Sequence, residues 1–158
     1  MLEGPRMIPG PERAPQVALA FVKTARDVYG RDMDFSLDSL GLVEEILDDL
    51  AQGEGGGSGF RLLLQAASCY VGEVIIRAGA GSWVAGARGE PLILREGGLS
   101  AVPYNKVMKR LEGGPEEALR PYALIFIERA EQERAQAAAL AAAQSRGLMA
   151  RLRKWVRA

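Results

Sequence analysis

Residues 60–83 read FRLLLQAASCYVGEVIIRAGAGSW, the most apolar segment of helical length in the chain. On a helical wheel Arg61, Gln65, Ser68 and Gly72 fall on one narrow stripe, at i, i+4, i+7 and i+11. Leu62, Leu63, Leu64, Ala67, Val71, Val74, Ile75 and Ile76 cover most of the remaining circumference. A helix apolar on nearly every side is buried inside a domain, so this segment is expected to be the central helix. Two charges break the pattern. Glu73 and Arg77 lie four apart, away from the weakly polar stripe and beside Leu62, Ala66 and Cys69.

Upstream, the spacing predicts two amphipathic helices. Pro15 suits a first helical turn, Ala18, Phe21, Val22, Ala25, Val28 and Tyr29 recur at three and four, and Gly30 stands where a left-handed cap belongs. A second helix is expected over residues 36–52, capped by Ser36 or Asp38, with Leu40, Val43, Ile46, Leu47 and Leu50 inward. Its outer face carries Glu44, Glu45, Asp48 and Asp49, a solvated acidic face or, alternatively, a docking surface for a basic partner. Residues 53–59, GEGGGSG, read as a flexible linker. They lack the Gly-Lys-Ser/Thr ending and the preceding strand of a phosphate-binding loop.

Downstream, Gly79 and Gly81 end the helical pattern, and strand character follows over residues 82–87 and 91–95. The short connection Arg88-Gly89-Glu90 predicts an antiparallel hairpin, with a third short strand over residues 99–102. Pro103 then starts a short helix with Tyr104, Val107, Met108 and Leu111 inward and Lys106, Lys109 and Arg110 outward, stopped at Gly113-Gly114-Pro115. The final helix is expected to carry Glu116 and Glu117 near its start, to restart or kink at Pro121, and to be interrupted at Gly147.

The fold class expected is therefore α+β: a mostly helical single domain with a small antiparallel sheet and an extended C-terminal helix. Residues 1–14, with three prolines, read as a flexible lead, residues 15–130 as the globular part, and residues 131–158 as an alanine-rich, basic tail. At 158 residues with 48% hydrophobic content the chain can bury a core without staples. Lone Cys69 has no internal disulfide partner and reads as a small buried core residue. A cytoplasmic setting is the default expectation, because residues 1–20 hold prolines and acids around too short an apolar run for a signal peptide. No segment carries the uninterrupted apolar run of a membrane span.

Charge is balanced overall, 20 basic against 20 acidic residues, but unevenly placed. Residues 32–54 hold eight acids and no base, and residues 146–158 hold five bases and no acid. In that tail Leu148, Met149, Leu152, Trp155 and Val156 share one side and Arg146, Arg151, Arg153, Lys154 and Arg157 occupy the rest. A basic amphipathic helix with a tryptophan fits a partner's groove or an anionic membrane surface; packing back on the acidic second helix is the plainer alternative. The basic segment is short and the net charge zero, which argues against nucleic acid.

The chain has no histidine, which removes Ser-His and Cys-His nucleophiles and the commonest metal ligand. Asp32-x-Asp34 is too short for a calcium loop, so neither metal nor cofactor is expected. Glu73 is the acid that invites attention. A carboxylate among apolar neighbours is either paired or set up as a catalytic acid or ligand-reading group. Arg77 offers the pairing, and Tyr70, Trp83 and Tyr104 are candidates to line the same groove. Gly72 would admit a close-packed helix or chain beside it.

Two runs carry a resemblance. Tyr70-x-Gly72-Glu73-x-Ile75 leading to Gly81-x-Trp83, and Pro103-x-x-Lys106-Val107-x-Lys109-Arg110-Leu111-x-x-Gly114, resemble a pattern found in small uncharacterised bacterial domains. The likeness spans about residues 35–120, and Val102 stands where the pattern has a polar residue before the proline. It implies a shared α+β domain and no activity. The functional expectation is thus a non-catalytic interaction or adaptor domain, using the acidic face, the Glu73 groove or the basic tail. The competing expectations are a small-ligand-binding domain or enzyme centred on Glu73, and a peripheral membrane protein held by the tail.

Overall fold

Helix α1, Ala14–Tyr29, buries Ala18, Phe21 and Ala25 of its three-and-four series, while Val28 of the same series is 69% exposed. It ends at Gly30, whose φ of 63° lets the Gly30 and Arg31 amides turn back onto the Arg26 and Ala25 carbonyls. The structure is a computed structural model and describes residues 9–53, 56–95, 98 and 100–158. Part of the expected lead is ordered: Pro11–Arg13 form a 3-10 turn and Ala14 is fully buried, while residues 1–8 lie outside the described residues.

Helix α2, Leu40–Gln52, starts later than its pattern suggests. Residues 36–39 form a turn in which Ser36 Oγ accepts the Ser39 amide at 3.1 Å, so Ser36 caps the turn rather than the helix. Glu54 and Gly55 of the glycine linker lie outside the described residues. Helix α3, Ser58–Arg77, is the centre of the molecule: every residue from 67 to 75 is buried. It is also long and apolar enough to cross a membrane by length and composition, and here the greater part of that stretch is buried inside the fold, with Leu62 left exposed. Helix α1 packs along it, and α2, helix α4 (Pro103–Gly113) and helix α5 (Leu119–Val156) close the other sides.

Three strands lie beside this helical core in the order β1 (Ser82–Ala85), β2 (Pro91–Leu94), β3 (Ser100–Ala101), both pairs antiparallel. Trp83 faces Ile93 across the hairpin, and Ile93 faces Ala101. The strands are shorter than their apolar runs, because the chain turns at Gly86 and Gly89 takes φ 81°. Leu99, Glu96 and Gly97 lie outside the described residues. The result is the mostly helical α+β domain with a small antiparallel sheet and a long C-terminal helix.

Four expectations are corrected. Arg110 does not face outward; it is 2% exposed, on the same side of α4 as Pro103 and Val107. Glu116 and Glu117 belong to a separate 3-10 turn, Gly114–Glu117, held by Lys106 to Glu117 at 2.6 Å. Pro121 sits in the first turn of α5, where its missing N–H costs no intrahelical bond. Gly147 does not interrupt α5, which runs unbroken to Val156. One glycine lowers local helix propensity by about 1 kcal/mol, which flanking alanines and leucines outweigh.

Candidate functional site

Glu73 is buried, and both its carboxylate oxygens have donors. The Trp83 indole N–H reaches Oε1 at 2.7 Å, and the Arg77 Nε–H reaches Oε2 at 3.1 Å. Trp83 gets there because it comes off β1 and packs its six-membered ring against Gly72, where a Cβ would sit 2.0 Å from Cη2. The close approach that Gly72 permits is thus made by the molecule's own tryptophan, which places the indole over the helix and its N–H at the next residue's carboxylate.

Arg77 continues the chain of contacts. Its guanidinium carbon stands 3.6 Å from the centroid of Phe35, and Phe35 stacks on Tyr70 at 4.7 Å. Phe35 adopts φ 59°, a left-handed conformation that a bulky side chain rarely takes. It is held there by its amide, which donates to the Tyr70 hydroxyl at 2.8 Å, and by the two stacked groups. The Tyr70 hydroxyl also lies 2.6 Å from Ser39 Oγ, and burial raises its pKa. No pattern in the sequence announces Phe35, because left-handed backbone in a non-glycine residue is imposed by tertiary contacts.

The five candidates therefore do not line one groove. Glu73, Arg77 and Trp83 meet; Tyr70 points into the α1 side, against Phe21 and Phe35. Tyr104 meets Trp83 at a different place, a small apolar cavity of about 30 Å³ that also touches Gln65, Ser68, Cys69 and Pro91. That is the space of a single water. Cys69 on its wall is pushed up to about 12, mainly by burial and secondly by the Glu73 charge, so its thiolate is suppressed.

The acidic face of α2 is largely engaged within the fold. Arg110 clamps Asp48 with two bonds, 2.8 and 3.1 Å, and its Nε lies 3.9 Å from Glu44. Glu44 Oε1 accepts the Leu119 amide at 2.6 Å, satisfying an N–H at the start of α5. Glu45 pairs with Arg31. A surface for a basic partner would need these carboxylates free.

No protein-family model, curated protein or solved structure matches this chain.

A second polar cluster escaped the sequence. Arg95, at the end of β2, is 4% exposed; one guanidinium nitrogen donates to Glu133 of α5, and Nη1 has no partner among the described residues. Arg134 reaches back to the carbonyl of Gly79 at 3.1 Å. These contacts fasten α5 to the body and border an open cleft of about 530 Å³. Beyond Ala137, which still borders that cleft, α5 buries no residue against the described part of the body. Every residue from 131 to 158 is exposed, including Arg146, Arg151, Arg153, Lys154 and Arg157 and the apolar Leu148, Met149, Leu152, Trp155 and Val156. At 1.5 Å per residue the exposed stretch is about 40 Å long.

Proposed function

We propose that the protein is a non-catalytic interaction module whose partner-binding element is the projecting part of α5. The observation that carries this reading is the exposure of residues 131–158 in a helix that keeps large apolar side chains: Trp155 is 78% and Leu148 60% exposed. Unpartnered apolar surface of this length marks a binding face. A catalytic role for Glu73 has less behind it, because its two oxygens are occupied by Trp83 and Arg77 and the nearby cavity holds about one water.

The test compares the immobilised full chain with a chain ending at Ser145 in lysate of the cells that express it. All buried residues of α5 precede residue 131, so the truncation leaves the body's packing intact. A protein retained by the full chain and lost on truncation supports the reading. Equal retention by both, or none by either, overturns it.

One observation favours a second reading. The last thirteen residues combine five bases, no acid and an exposed tryptophan on one apolar side, the composition of a helix lying on anionic lipid. Sedimentation with phosphatidylserine vesicles that weakens with salt and vanishes on truncation at Ser145 would support attachment through the tail. Attachment that survives the truncation would exclude the tail as anchor.

A further inference from the structure

The apolar stripe that fixes α5 to the body continues after the body ends. Phe126 and Ala130 are buried against the core. Eleven residues on, the same side of the helix carries Ala137 and Ala141, and eleven further on Leu148 and Leu152. An eleven-residue step is close to three full turns, so the stripe drifts only about 20° each time. It divides into two halves of opposite relief. Residues 135–143 are alanines except Gln136 and Leu140, while residues 148–156 carry Leu148, Met149, Leu152, Trp155 and Val156.

We propose that a second copy of this chain covers the stripe, the two α5 helices pairing antiparallel about Gln144. This inference rests on the reading of α5 as the interaction element and names its occupant. In that arrangement the bulky half of each copy lies on the alanine half of the other, where small side chains let the helices approach closely. Leu148 falls opposite Leu140, and Trp155 opposite Glu133. There it meets the mouth of the cleft between the sheet and α5, lined by Gly81, Val84, Leu94, Arg95, Ala130 and Ala137. That cleft, about 530 Å³, has room for an indole, and Leu94 on its wall is 43% exposed.

Charge favours the same pairing. The base-only end, residues 146–158, comes to lie along residues 130–142, which hold Glu131 and Glu133, with Arg157 opposite Glu131. Arg134, a base in that stretch, is turned to the backbone carbonyls of Ala78 and Gly79. A parallel pair would instead stack five bases on five and leave alanine facing alanine. A membrane would cover the Leu148 to Val156 side and leave Ala137, Ala141 and the cleft bare. The antiparallel pair is isologous, so it closes as a dimer with every contact made twice.

The experiment is sedimentation velocity of the full chain over a range of concentrations, with Leu152→Glu and the chain ending at Ser145 beside it. The expected result is a dimer of the 17.0 kDa chain whose dissociation constant rises on the order of tenfold or more in Leu152→Glu, with unchanged circular dichroism. Gln144→Cys should form a disulfide across the axis under mild oxidation while Arg157→Cys should not; crosslinking of both would mean a parallel pair and overturn the register. A monomer at every concentration overturns the second copy. If that monomer still retains another protein in the capture experiment, or pellets with phosphatidylserine vesicles, α5 remains the binding element and its occupant is different. A dimer that survives truncation at Ser145 overturns the inference, since the contact then lies in the body, and the capture experiment alone decides the reading of α5 as the binding element.

Discussion

The indole of Trp83 rests on the backbone of Gly72, so close that a Cβ would stand 2.0 Å from Cη2 and 2.4 Å from Cζ2. Gly72→Ala is therefore expected to push the ring off α3 and stretch the 2.7 Å bond to Glu73. Overpacking and the weakened bond together outweigh the helix propensity gained, for a net loss of about 2 kcal/mol. Urea unfolding followed by circular dichroism reads this directly. A Gly72→Ala variant as stable as the parent would mean the ring has free room to move.

Glu73→Gln tests whether the buried carboxylate is structural. A glutamine retains one acceptor and presents its amide to a second donor, so a cost of about 1–3 kcal/mol is expected. Trp83→Phe leaves Oε1 without its indole donor, and the two changes should couple by about 1 kcal/mol in a double-mutant cycle. Undiminished stability in Glu73→Gln together with a lost small-molecule affinity would reassign the residue to ligand recognition.

Arg110 and Asp48 should respond unequally. Arg110 has a side chain only 3% exposed and Asp48 one 48% exposed. Arg110→Ala removes a buried cation along with its packing and should cost about 3 kcal/mol. Asp48→Asn leaves one hydrogen bond and a partner already near solvent, for about 1 kcal/mol. Equal losses in denaturant titrations would indicate that the pair acts as a surface bridge.

The buried thiol makes stability depend on alkaline pH. Cys69 rises from an ordinary 9.0 to about 12 in the fold, first because burial disfavours the thiolate, then because Glu73 repels it. A raised pKa means the contribution is whole below pH 9, where the unfolded thiol is also protonated, and is lost as pH climbs toward about 12. Within that window the slope from this group approaches 1.4 kcal/mol per pH unit, to order of magnitude. Tyr122, also raised to about 12 by burial, and Tyr70 add further loss above pH 10. Urea midpoints followed through pH 9 should fall less steeply in Cys69→Ala; identical slopes would exclude Cys69 as their source.

Several elements could be read from local pattern because local physics makes them. The apolar circumference of residues 60–77 demanded burial, Gly30 supplied a left-handed cap, and Trp83 and Leu92 to Leu94 fell into paired strands. The bounds were less legible. Ser36 resembles a helix cap by residue type, yet it holds a turn that ends one residue before α2.

What the sequence by itself determined was the period of each segment, and so its helices, hairpin and buried sides, along with the exposed apolar and basic character of residues 146–158. Only the tertiary structure decided which charges meet. Arg110 and Asp48 are 62 positions apart, Glu44 and the Leu119 amide 75, and no spacing rule connects them. Periodicity acts between neighbours on one element, whereas pairing of distant polar groups depends on which faces pack. That is why the outer face of α2 became an internal seam, Phe35 was forced into a left-handed turn, and the Trp83 ring came to lie on Gly72.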